Sequence, residues 1–119
     1  MSEMRLGAVE SKFADIIWDN EPLRPVELEK LAEAELNWKR TTTLTILKRL
    51  CEKGIFQNKD RIITSLISRE EFYALQSEKF VNDTFEGSLP AFLAAFGTRK
   101  KLSGDEVEEL KKVIESMRR

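Results

Sequence analysis

A mainly α-helical (α+β) fold, with three short helices, a small β-hairpin and then further helices, is what this sequence predicts. Three observations predict it. Three amphipathic segments separated by brief polar connections precede Gly54. Two short segments rich in β-branched and aromatic residues follow, split by Asp60-Arg61. Beyond them, Ser68 and Ser103 each stand three residues before a Glu, the Ser-x-x-Glu arrangement in which side chain and backbone satisfy each other's free groups at a helix start. Helices followed by a hairpin describe a winged helix-turn-helix domain, expected over residues 1–67, with a helical dimerisation region over residues 68–119.

In the first segment Val9, Phe13, Ile16 and Ile17 follow helical spacing, and Trp18 closes it before Asp19-Asn20-Glu21-Pro22. Pro25 suits a first helical position, because its missing N–H costs nothing there, and Leu28, Leu31 and Ala32 carry an apolar face to about Leu36. The third helix begins near Lys39 to Thr41 and stops at Gly54, a left-handed cap followed by apolar Ile55. Its apolar stripe is Thr43, Leu47, Leu50 and Cys51. Arg40, Thr41, Thr42, Thr45, Lys48 and Arg49 cover the remaining surface. Short hydroxyls and cations on one exposed side suit the major groove, where Thr reads base edges or a thymine methyl and Arg or Lys holds phosphate. Base readout is therefore expected of Thr41, Thr42 and Thr45, and phosphate positioning of Lys39, Arg40, Lys48 and Arg49.

Residues 55–59 and 62–67 read as the wing, whose tip presents Lys59 and Arg61 to the DNA backbone. Asp60-Arg61 lacks the glycine favoured in two-residue turns, so a longer turn is also open. The helix opened by Ser68 runs to Gly87 with Phe72, Leu75, Phe80 and Val81 among its apolar members, and Ser88 and Pro90 start a short helix containing Leu89, Phe92, Leu93 and Phe96. After Ser103, the residues Val107, Leu110, Ile114 and Met117 recur at steps of three and four, a narrow seam suited to a partner helix. So few residues cannot cover so many large apolar side chains alone, and a second copy of the chain is the expected remedy. Phe72, Phe80, Phe85, Leu93, Phe96, Val107, Leu110, Ile114 and Met117 are the expected dimerisation residues.

Composition narrows the function classes. The chain has 119 residues, 41% of them hydrophobic and 34% charged, and a net charge of -1. That average conceals a segregation: residues 1–38 hold four Lys/Arg against nine Asp/Glu, and residues 39–61 hold seven against two. A local excess of +5 is the footprint expected where a protein meets phosphate. With one cysteine and no histidine, neither a disulfide framework nor a Cys/His metal site can be assembled, and no cofactor is expected. Without His, catalysis would rest on carboxylate, Lys, Ser or Cys groups, and none forms a recognisable cluster, so an enzyme is not expected. No apolar run approaches the ~20 residues of a membrane span, and the N-terminus lacks a secretory signal layout, which predicts a cytoplasmic protein with no membrane insertion. The rival reading is a winged-helix protein–protein interaction module without sequence-specific DNA binding.

The residues resemble the penicillinase-repressor family of bacterial winged-helix regulators. Its pattern of a Trp, Thr four and seven positions later, then Leu, Arg, Leu and Lys-Gly falls on Trp38, Thr42, Thr45, Leu47, Arg49, Leu50, Lys53 and Gly54. Glu10, Ile17 and Trp18 look alike in the first helix, and Phe72 or Tyr73, Ser77, Phe80, Phe85, Gly87, Ser88, Leu93, Phe96, Leu102, Ser103 and Leu110 in the C-terminal half. The resemblance implies a homodimeric transcriptional repressor on a two-fold double-stranded DNA operator, released in the best-known members when an upstream membrane sensor peptidase triggers cleavage of the repressor and so frees a β-lactamase operon. A copper-responsive branch carries a C-terminal cysteine cluster, absent from Glu115-Ser116-Met117-Arg118-Arg119. Three departures stand out. The wing is shorter and lacks the family's glycine and tyrosine, Lys39 replaces a capping serine so that the third helix either begins at a different residue or gains its cap from Thr41, and Ala95-Phe96 replaces the cleavable Asn-Phe pair.

Overall fold

The computed structural model describes residues 6–119 and is a mainly α winged helix with a β-hairpin wing. The element order is α1 (Ala8–Asn20), α2 (Pro25–Leu36), α3 (Arg40–Glu52), β1 (Phe56–Lys59), β2 (Ile62–Ser65), α4 (Arg69–Phe85), α5 (Leu89–Gly97) and α6 (Gly104–Ser116). Two compact units divide between Ser77 and Glu78, so the first unit takes in the opening turns of α4 as well as the winged helix.

Local chemistry sets the helix ends. Pro25 opens α2 as expected, while Asn37, at φ 57°, provides its left-handed stop. Lys39 caps α3 through its backbone alone: its carbonyl accepts from Thr43 N–H at 3.0 Å and from Thr43 Oγ1 at 3.1 Å. Thr41 lies inside the helix and does not cap it, which corrects the sequence expectation. Gly54, at φ 83°, ends the turn after α3, and the Ile55 N–H reaches back to the Leu50 carbonyl at 3.2 Å. Ser68, Ser88 and Ser103 each accept a backbone N–H three residues on, at 3.1 Å.

Phe13, Ile17, Leu28, Leu50, Ile55, Phe56, Ile63 and Phe72 are fully buried and form the core of the first unit, with Thr43 and Leu47 turned into it from α3. Val9, although on the helical spacing of Phe13, is 52% exposed. Trp18 joins the hairpin to α4: its ring lies 5.1 Å from Phe56 and 5.6 Å from Phe72, and its indole N–H donates to the Ile67 carbonyl at 3.1 Å. Arg69 stacks over the same ring at 5.7 Å and pairs with Asp15 and Asp19 of α1.

The wing turn contains two residues and no more. β1 and β2 are antiparallel with Lys59 opposite Ile62, and Asp60 and Arg61 both adopt left-handed backbone, at φ 55° and 65°. This is the mirror-image turn whose twist matches a hairpin, formed here without its customary glycine, and the longer turn is thereby corrected. A third, single-residue strand was not anticipated: Leu23 bridges Ile63 through N–H···O bonds of 2.8 and 3.3 Å. Beside it the Glu21 carboxylate accepts from the Ser65 N–H at 2.7 Å and from the Ser65 hydroxyl at 2.9 Å.

In the second unit Phe80, Phe85 and Phe92 form a triangle of edge-to-face rings with centroids 5.7 to 6.1 Å apart. No side chain of α5 or α6 is fully buried. Among the described residues no helix is long and apolar enough to cross a membrane.

Candidate nucleic-acid interface

Burial of Thr43, Leu47 and Leu50 fixes the roll of α3. Given helical periodicity, Thr41, Thr45 and Lys48 then share the side directly opposite the core, and all three are exposed. Glu52, also exposed, ends that same strip and places a negative charge there. Thr42 and Arg49, seven residues apart, run along one flank, also exposed. Arg49 is engaged there: its guanidinium lies 3.2 Å from the Glu10 carboxylate of α1.

On the other flank the structure gathers residues from three elements. Arg40 from the start of α3 and Arg61 from the wing tip line one cleft of about 400 Å3, together with Arg24, Glu29 and Asn58. Glu29 holds Arg40 through Nε at 3.3 Å, with the Arg40 side chain still 74% exposed. Arg24 and Asn58 escaped the sequence reading. Arg24 sits in the acidic first segment and Asn58 carries no charge, so only the fold brings them beside α3. Lys39 and Lys59 are exposed, adjacent to Arg40 and to the wing turn. The arrangement is therefore a strip of hydroxyls with cations at its margins, and its short Thr side chains leave room for a groove wall to approach.

Of the residues expected to dimerise, Phe80, Phe96, Ile114 and Met117 are exposed, and Phe85, Leu93, Val107 and Leu110 are half-buried. Phe72 is different. It is fully buried against Trp18 and Tyr73 in the first unit, so it has no surface to offer a partner, a correction to the sequence expectation. Leu102 and Val113, not anticipated, join Phe92, Leu93, Phe96 and Leu110 around an apolar groove of about 390 Å3 between α5 and α6. Cys51 is half-buried on α3, and burial pushes its thiol above the usual range, as suits a packing residue rather than a nucleophile. No group of acidic or thiol side chains among the described residues could hold a metal ion.

Known proteins are similar to this sequence along nearly the whole chain. The methicillin resistance regulatory protein MecI of Staphylococcus aureus (strain Mu50 / ATCC 700699) is 26% identical over 113 residues, covering 92% of each chain. MecI of Mammaliicoccus sciuri is likewise 26% identical over 113 residues, again with 92% of each chain covered. The penicillinase repressor of Bacillus licheniformis is 24% identical over 115 residues, covering 93% of this chain and 90% of its own. The sequence pattern that defines the penicillinase repressors matches residues 6–116. The chain belongs to the penicillinase repressor family of DNA-binding transcriptional regulators.

Proposed function

We propose that this protein is a homodimeric transcriptional repressor that binds a two-fold symmetric DNA operator through α3. The observation that carries the reading is the exposed strip of Thr41, Thr45 and Lys48 opposite a buried apolar face, flanked by Arg40 and the wing cation Arg61. On this reading Thr41, Thr42 and Thr45 read base edges, while Lys39, Arg40, Lys48, Lys59 and Arg61 position the backbone and Arg49, paired with Glu10, contributes less to it. The names of the relatives, regulators of methicillin resistance and of penicillinase, suggest an operon of the β-lactam resistance type. A cytoplasmic protein answering to an upstream sensor peptidase would fit that setting.

Dimerisation rests on the second unit. Phe96, Ile114 and Met117 stay at least 45% exposed, and Val113 is 55% exposed, so four large apolar side chains face water in this unit. A second copy would cover them and would match the two-fold operator.

Selection of duplexes from a random pool tests the function. Recovered sites should carry inverted repeats, and light scattering should show twice the chain mass at micromolar concentration. Thr45→Val should then lower discrimination between selected and random duplex by roughly 1 to 3 kcal/mol if a good base contact is lost. A protein that recovers no sequence and shows no salt-dependent duplex binding would be a docking module instead, because such a module has no condensed counterions to release.

A further inference from the structure

We infer that the cleft between the start of α2, the start of α3 and the wing tip seats a sugar-phosphate unit of the bound duplex, with Arg24 as a phosphate ligand outside the recognition helix. The inference rests on the DNA-binding reading above and deepens it. Arg24, Arg40 and Arg61 line the cleft with a single acid, Glu29, so three positive charges meet one negative and the lining carries +2. Like charges gathered in a concave site raise the local potential and draw an anion to it.

The three guanidinium groups remain available. Arg24 approaches Glu27 only at 3.9 Å, with 63% of its side chain exposed. Arg40 meets Glu29 through Nε at 3.3 Å with 74% of its side chain exposed, so solvent still reaches the guanidinium that can fork around phosphate oxygens. Arg61 makes no ion pair among the described residues. Glu29 thus acts as a brace that fixes the stem side of Arg40.

The rest of the lining suits the same ligand. Val26 and Leu44 supply apolar wall for a deoxyribose, and Asn58 adds a neutral amide that can donate to a phosphate oxygen. At about 400 Å3 the cleft exceeds a bare phosphate and accommodates the sugar attached to it.

Titration of a random-sequence duplex at several salt concentrations tests this with Arg24→Gln, Arg24→Lys and a Lys48→Ala control. Arg24→Gln should weaken binding and reduce the magnitude of the log–log salt slope by about one per chain, as loss of one phosphate contact requires. Arg24→Lys should restore the slope, which a merely structural role in starting α2 would not explain. An unchanged slope in Arg24→Gln alongside a reduced slope in Lys48→Ala would overturn the inference while leaving DNA binding intact. Absence of salt-dependent binding by the unaltered protein would instead overturn the functional reading itself.

Discussion

Lys48 and Arg49 are neighbouring cations on α3, yet the structure separates their expected effects on DNA binding. Lys48 stands on the exposed strip with no ion pair among the described residues, whereas Arg49 already neutralises Glu10 at 3.2 Å. A phosphate contact releases about 0.9 counterion, so Lys48→Ala in a dimer, which removes two contacts, should reduce the salt slope by roughly 1.8. Over a fourfold change in salt, from about 50 to about 200 mM, the fall in affinity should shrink by roughly tenfold. Arg49→Ala should do less. Leaving Glu10 for phosphate would break the 3.2 Å pair and strand the Glu10 charge beside the DNA, which favours Arg49 staying where it is, and if it stays, no release is lost. Its cost appears in stability, where a partly exposed pair contributes about 0.2 to 1 kcal/mol. Fluorescence anisotropy of a labelled duplex at five or so salt concentrations measures both slopes. Equal slope changes in the two variants would refute the argument, because they would make Arg49 a phosphate ligand unencumbered by Glu10.

Three further outcomes are expected. Phe72→Ala should cost about 3 to 5 kcal/mol in urea unfolding with the folded protein still dimeric by light scattering, and dissociation without lost stability would return Phe72 to the dimer surface. Because burial holds the Cys51 thiol above its ordinary pKa, the thiolate is scarce at pH 8 and an aromatic disulfide reagent should label the folded chain far more slowly than the denatured one; equal rates would contradict the packing of α3. Cleavage should not occur at Ala95-Phe96, since Ala95 lacks the amide of Asn and the bond lies within α5; mass spectrometry of protein from induced native cells should find the chain intact, and a fragment ending at Ala95 would sink this expectation.

Elements that announce themselves through nearby residues were legible in the sequence. Pro25, Ser68, Ser88 and Ser103 marked helix starts because each cap acts within three residues of itself, and the stripe of Thr43, Leu47 and Leu50 fixed which side of α3 is outside. What was missed depends on contacts between distant residues. Ser68 opens a helix, but whether Phe72 belongs to one unit or the next is decided by Trp18, far earlier in the chain. Leu23 has no pattern of its own, since one bridging residue needs Ile63 to define it. The Arg49–Glu10 pair spans 39 residues, and Arg24 joins Arg40 and Arg61 only when α2 packs beside α3 and the wing. Asp60-Arg61 was legible as the wing turn, and a longer turn stayed open only because glycine is the usual signal for the left-handed backbone that Asp60 and Arg61 adopt without one.

The stitching of the wing has a further consequence for the shape of duplex that fits. Leu23 and Glu21 bind the hairpin to the loop before α2 through two backbone bonds and a two-pronged carboxylate contact, so the wing is a fixed jaw rather than a swinging arm. On the proposed reading, the distance between the wing tip and α3 gauges the DNA like a caliper. Sequences that already hold the matching groove width enter without distortion, and stiffer or wider ones must be deformed at a cost that varies with their base steps. Selectivity would then arise at base pairs that no side chain touches, and loosening the stitch, for instance at Glu21, would blur it without altering a single residue that faces the duplex.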